Sequence, residues 1–178
     1  MCGFYLQVNR EKSLELSKER INLIESRLSN RGADSTNSLY LKDKTFNYFL
    51  NHSRLIISGD KDNGKQPIYD NNHILLFNGQ IYNYKELSIK HKINNSGSDT
   101  IFLFEFLKKN NFNYCMKFLR GPFAIVFINL NKNKIFIARD MFGESPLFFK
   151  ETKSNLTISS DYLLLSQNRV NLLEKNTI

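Results

Sequence analysis

Strand-like and helix-like stretches are segregated along this chain rather than alternated, and that segregation limits its fold more than any other feature. A short apolar opening, Gly3 to Val8, leads into a helical pattern with Leu14, Ile21, Ile24 and Leu28 on one face, closed by Asn30-Arg31-Gly32. Strand-like runs follow at 38–41 and 45–57, separated by the polar turn Lys42-Asp43-Lys44. After a loop carrying Gly59, Gly64 and Pro67, the apolar run from His73 to Phe77 meets Asn78-Gly79, a dipeptide that favours a type I′ hairpin. A second helix is expected to open at Ser98-Asp99 and run to Leu107, with a shorter one at 114–119. Residues 123–129, 134–139, 147–150 and 156–159 read as short strands with turns between them. A parallel sheet would need strand and helix in strict alternation, so the pattern implies an α+β fold with antiparallel sheets.

At 178 residues the chain is expected to be a single domain, 1–178, and the 41% hydrophobic content with fifteen Phe argues for a folded core. No run reaches the roughly 18 apolar residues of a membrane span, and the start lacks the pattern of a signal peptide. A cytoplasmic location with no membrane partner is therefore expected. Two cysteines, Cys2 and Cys115, are too few for a disulfide framework. The formal charge of +8 raises the question of nucleic acid. The basic residues are scattered (Lys12, Lys61, Lys90, Lys150) and form no aromatic-interleaved run, so nucleic-acid binding is not expected. Phosphate-cradling and dinucleotide-binding glycine patterns are absent, and His52, His73 and His91 lack metal-ligand spacing.

Five residues could carry chemistry. Cys2 is followed by Gly3, and loss of Met1 would place its thiol on the same residue as a free α-amine. The amine titrates near about 7.7–8.0 and the thiol near about 8.5, so one residue could supply both nucleophile and base. The alternative is a small buried hydrophobe at the start of a strand. Asn78-Gly79 is either the hairpin turn or a side-chain amide beside an unshielded backbone N–H, the parts of an oxyanion hole. Arg54, in an apolar strand, is either a sheet-edge or ion-pair residue or a clamp for a carboxylate. Asp99 is either a helix cap or dipole partner, or the anion that holds an ammonium group. Cys115 sits in an apolar helical context and reads as a packed core thiol.

Eight short segments, in order, resemble the class-II, N-terminal-nucleophile glutamine amidotransferases, specifically the glutaminase domain of asparagine synthetase. They are Met1-Cys2-Gly3, Arg31-Gly32-Ala33-Asp34, His52-Ser53-Arg54-Leu55, Gln66-Pro67, Asn78-Gly79-Gln80-Ile81-Tyr82-Asn83, Gly97-Ser98-Asp99, Leu119-Arg120-Gly121-Pro122-Phe123-Ala124, and Arg139-Asp140 with Gly143, Pro146 and Leu147. Ser160-Asp161 falls where the family has Ser-Glu. The resemblance implies an Ntn-hydrolase four-layer αββα sandwich, with two antiparallel sheets between helical layers. It implies Cys2 as nucleophile, Asn78 and Gly79 as oxyanion hole, Arg54 on the α-carboxylate of glutamine and Asp99 on its α-amino group. Main chain of Leu55, Ile57, Ser58 and Gln80 would line the rest of the pocket. No metal or organic cofactor is implied for glutamine hydrolysis.

Three positions depart from the family pattern. Gln80 stands where Glu is usual, Ile101 where an acidic residue is common, and Ala33 where Pro is usual. No Ser/Gly-rich pyrophosphate loop is read in the sequence and no synthetase domain is expected, so the expected role is a glutaminase that passes ammonia to a separate synthetase or amidating partner. Two alternatives stand beside it: a non-catalytic glutamine-binding or regulatory module of the same fold, and an N-terminal-nucleophile hydrolase of another amide.

Overall fold

Two antiparallel sheets face one another, and helices cover the outer side of each. The computed structural model describes residues 2–10, 16–56 and 63–165. The first sheet has the order β2-β3-β1-β9-β8, from Ser35–Lys42, Asn47–Arg54, Gly3–Asn9, Asn155–Ser159 and Phe148–Glu151. The second has the order β4-β5-β6-β7, from Ile68–Tyr69, His73–Gly79, Phe123–Asn129 and Lys134–Arg139. Helix α1 (Lys18–Ser29) lies on the first sheet; α2 (Tyr84–His91), α3 (Asp99–Lys109) and α4 (Phe112–Met116) lie on the second.

The layering follows from strands whose two faces are both buried. Phe4, Leu6 and Val8 of β1, Tyr48 and Leu50 of β3, Ile74 and Leu76 of β5, and Ala124, Val126 and Ile128 of β6 meet between the sheets. The intervening Tyr5 and Phe49 turn outward onto Ile24 and Leu28 of α1. Likewise Leu75, Phe77, Ile125 and Phe127 turn outward onto Phe102, Leu103, Phe106 and Leu107 of α3. Side chains alternate every second residue, so each such strand feeds two cores. This is the expected αββα sandwich.

The expected helix face of Ile21, Ile24 and Leu28 packs as read, whereas Leu14 lies outside the described residues, as does Gly59. The helix expected to open at Ser98-Asp99 does so, and Ser98 rather than Asp99 caps it, accepting from Ile101 N at 3.4 Å. The hairpin reading of Asn78-Gly79 is wrong. Both residues end β5, in register with Ala124 and Phe123 of β6 more than forty residues later, and no turn forms there. Gly79 has φ +144, and a Cβ would stand 2.1 Å from Pro122 O, so glycine here serves close strand approach rather than a turn. Helix α2 was not anticipated. Its mean hydropathy is low and its buried residues are only Leu87 and Ser88, so it carries little periodic signal. Among the described residues no helix is long and apolar enough to cross a membrane.

Candidate active site

The face between the sheets is apolar along the middle of its strands and polar at one end. Continuing the alternation of Phe4 and Leu6 backward reaches Cys2; continuing Tyr48 and Leu50 forward reaches His52 and Arg54; continuing Ile74 and Leu76 forward reaches Asn78. These strand ends open into a cavity of about 120 Å³ that Cys2, Arg54, Leu55, Asn78, Gly79 and Gln80 line. Asp99, in the first turn of α3, closes it from the second sheet's helical layer. Seven of the nine expected site residues therefore share one cavity. Ile57 and Ser58 lie outside the described residues.

Cys2 is held by the segment after β3. Its Sγ accepts from Leu55 N at 3.3 Å and donates to Leu55 O at 3.6 Å. That segment is fixed by Asp34, whose Oδ2 accepts from Ile56 N at 2.7 Å and whose N donates to Arg54 O at 3.0 Å. Arg31 Nε donates to Cys2 O at 3.3 Å, and a Cβ on Gly32 would lie 2.5 Å from Ser53 O. The Arg31-Gly32-Ala33-Asp34 stretch thus positions the cysteine's neighbours without entering the cavity itself. Burial pushes the Cys2 thiol above its ordinary value, opposed by the Leu55 hydrogen bond. At neutral pH the sulfur therefore carries its proton, and reaction at this sulfur needs a base.

Arg54 is 8% exposed and lies on an internal strand, which removes the sheet-edge alternative. Its Nη2 donates to Asn63 O at 2.6 Å. Asp99 is not the helix cap, since Ser98 fills that place. Instead its Oδ2 accepts from Ile81 N at 3.0 Å, which ties the start of α3 to the chain leaving β5. Burial raises the Asp99 carboxyl above its usual value, with the Ile81 N–H pulling the other way. One cation and one anion thus line the same small cavity.

Asn78 is 1% exposed, and among the described residues neither its Nδ2 nor its Oδ1 has a hydrogen-bond partner. A buried amide without partners costs free energy unless something else satisfies it. The backbone of Gly79 supplies a second donor. Phe77 N donates to Gln66 Oε1 at 2.6 Å and Phe77 O accepts from Gln66 Nε2 at 2.9 Å, so the polar edge of Phe77 faces away from β6. In an antiparallel ladder residue i+2 presents its N–H to the same side, so Gly79 N–H also faces away from β6. Phe123, opposite Gly79, spends its own N–H and carbonyl on Asp140. Gln80, one residue on, turns back and donates to Pro122 O at 2.8 Å.

Residue-level reading of the sequence gave no site role to several lining residues, Gln66 and Ser145 among them. Gln66 belongs to the quoted Gln66-Pro67 pair, and its side chain acts as a strand edge for Phe77. His52 Nε2 meets the same Phe77 O at 3.0 Å, and complete burial lowers its value to about 4, so the ring is neutral. Among the described residues no group of three or more His, Cys, Asp or Glu is placed to hold a metal ion.

A sequence profile of the glutamine amidotransferase domain matches residues 1–177. Glutamine-hydrolysing asparagine synthetase 1 of Bacillus subtilis is 30% identical over 97% of this chain and 28% of its own length. The glutamine-hydrolysing asparagine synthetase of Brassica oleracea is 30% identical over 83% of this chain and 25% of its own. The chain thus spans less than a third of the length of these curated relatives. Among solved structures, glutamine phosphoribosylpyrophosphate amidotransferase from B. subtilis, complexed with ADP and GMP, superposes with a TM-score of 0.67. That match covers 91% of this chain and 42% of the other at 16% identity, a likeness of fold.

Proposed function

The chain belongs to the glutamine amidotransferase domain family, and on that premise we propose that it hydrolyses glutamine through Cys2 and hands the ammonia to an amidating partner. The observation that carries this reading is the convergence of Cys2, Arg54, Asn78, Gly79 and Asp99 on one cavity from separate segments. An amino acid needs a cation for its carboxylate, an anion for its ammonium, and donors for the carbonyl oxygen at its reacting end. Arg54, Asp99, and the Asn78–Gly79 pair meet those needs in turn.

The cycle begins once Met1 is removed and the α-amine of Cys2 is free. The amine takes the thiol proton as Sγ attacks the side-chain amide carbon, and the carbonyl oxygen becomes an oxyanion facing Asn78 Nδ2 and Gly79 N. The α-ammonium returns that proton to the departing nitrogen, which leaves as ammonia. A γ-glutamyl thioester remains on Sγ, and water attack releases glutamate and the thiol. The raised thiol value supports the need for a base within the same residue. The ammonia acceptor is proposed to be a synthetase, as domain or separate protein, because the relatives are named asparagine synthetases.

Asn78→Ala tests the oxyanion assignment. One donor of this kind contributes roughly 10²–10³-fold to kcat. The variant is expected to lose about that much in glutamate release while its thermal midpoint does not fall, because the deleted amide has no partner among the described residues. Unchanged turnover would remove Asn78 from the site.

A further inference from the structure

A second buried polar group in the cavity remains without a role. Ser145 is fully buried, lines the same cavity as Cys2, and its Oγ has no hydrogen-bond partner among the described residues. Its place is set by Asp140, the carboxylate at the end of β7. Asp140 Oδ2 accepts from Ser145 N at 3.0 Å and from Phe123 N at 3.2 Å, and Oδ1 accepts from Phe142 N and Glu144 N at 3.1 and 2.9 Å. Two N–H groups on one carboxylate oxygen hold Ser145 beside Phe123, the residue opposite Gly79. Ser145 therefore stands over the end of β6 and lines the cavity that Cys2, Asn78 and Gly79 also line.

A carboxamide makes two demands at that end. Its oxygen needs donors, which Asn78 Nδ2 and Gly79 N supply. Its NH₂ needs acceptors. The carbonyl of Leu55 is engaged by the Cys2 thiol and that of Pro122 by Gln80 N. Two lining acceptors have no partner among the described residues, Asn78 Oδ1 and the Ser145 hydroxyl, and of the two only Ser145 has no other role in the proposed cycle. We propose that Ser145 Oγ contacts the amide nitrogen of glutamine as a hydrogen-bond acceptor, distinguishing the amide from other carbonyl derivatives and steadying the nitrogen as it departs. This rests on the glutaminase reading above.

The test compares wild-type chain and Ser145→Ala on glutamine and on γ-glutamyl methyl ester, which keeps the carbonyl and both α-groups but has no amide nitrogen. The readout is kcat/KM, which reports steps through acylation of Cys2. Loss of one hydrogen bond is expected to lower the value for glutamine by roughly tenfold. The ester value should shift by less than about twofold, and thermal unfolding should confirm that the variant is folded. Equal losses on both substrates, or none on either, would overturn the assignment to the nitrogen. If processed wild-type chain hydrolyses neither substrate, the glutaminase reading itself fails, a result separable from failure of the Ser145 assignment alone.

Discussion

Asp99, the proposed partner of the substrate ammonium, is buried at the expense of stability. Its carboxyl is raised by burial, so the folded value lies above the unfolded one. The ionised form therefore destabilises the fold at neutral pH, and this penalty is relieved as pH falls through the raised value and the carboxyl takes up a proton. Asn at this position would keep an oxygen for Ile81 N–H and carry no charge. Asp99→Asn is expected to melt no lower than wild type at pH 7, and its KM for glutamine should rise roughly 10–100-fold through loss of a charge-assisted contact to the α-ammonium. Midpoints measured at pH 5 and 7, beside steady-state kinetics, check both halves. A lower midpoint with unchanged KM would make Asp99 a structural residue.

At the scale of the element, the site is the continuation of ordinary strand patterning. The residues at 4 and 6, at 48 and 50, and at 74 and 76 are apolar and face the space between the sheets, and stepping two residues further brings Cys2, His52, Arg54 and Asn78 onto that face. The strands β1, β5 and β6 were legible as short apolar runs, and β7 has the bounds read from the sequence. What could not be read was which distant strand satisfies Asn78-Gly79. The local turn preference of that dipeptide is overridden by pairing with β6 and by the close approach of Pro122 O to Gly79. Ser145 was hidden for a similar reason, since its backbone is held by a carboxylate five residues earlier, that of Asp140. Burial pushes the Asp140 carboxyl up, but the N–H groups of Ser145, Glu144 and Phe123 outweigh it and hold the value below the usual range. With the folded value depressed, its contribution is present above the unfolded value and lost as pH falls through the folded one. Asp140→Ala leaves four backbone N–H groups without their acceptor. It should cost about 2–4 kcal/mol in urea unfolding at pH 7, and it should impair glutamate release beyond what Ser145→Ala does. A loss under about 0.5 kcal/mol would mean that the turn stands without Asp140.

For the whole molecule, the two sheets and their helical covers bring segments as far apart as Cys2 and Ser145 to one opening. Ser160 illustrates the reach: its Oγ accepts from Phe4 N at 2.7 Å, and its N donates to Phe4 O at 3.1 Å, so the end of the last strand braces the residues beside Cys2. The likeness of fold to a known amidotransferase extends over 91% of the chain, while the asparagine synthetases of Bacillus subtilis and Brassica oleracea named above are more than three times as long. Cys2, Arg54, Asn78, Gly79 and Asp99, the groups proposed for hydrolysis, all lie within the described residues. The central claim is that Cys2, freed at the amino terminus, is the nucleophile. Its most direct test is the intact mass of purified chain, followed by the rate of glutamate release from glutamine beside a Cys2→Ala control. Loss of Met1 and release that disappears in the control are the expected results. Processed chain that releases no glutamate, or release that survives Cys2→Ala, would contradict it.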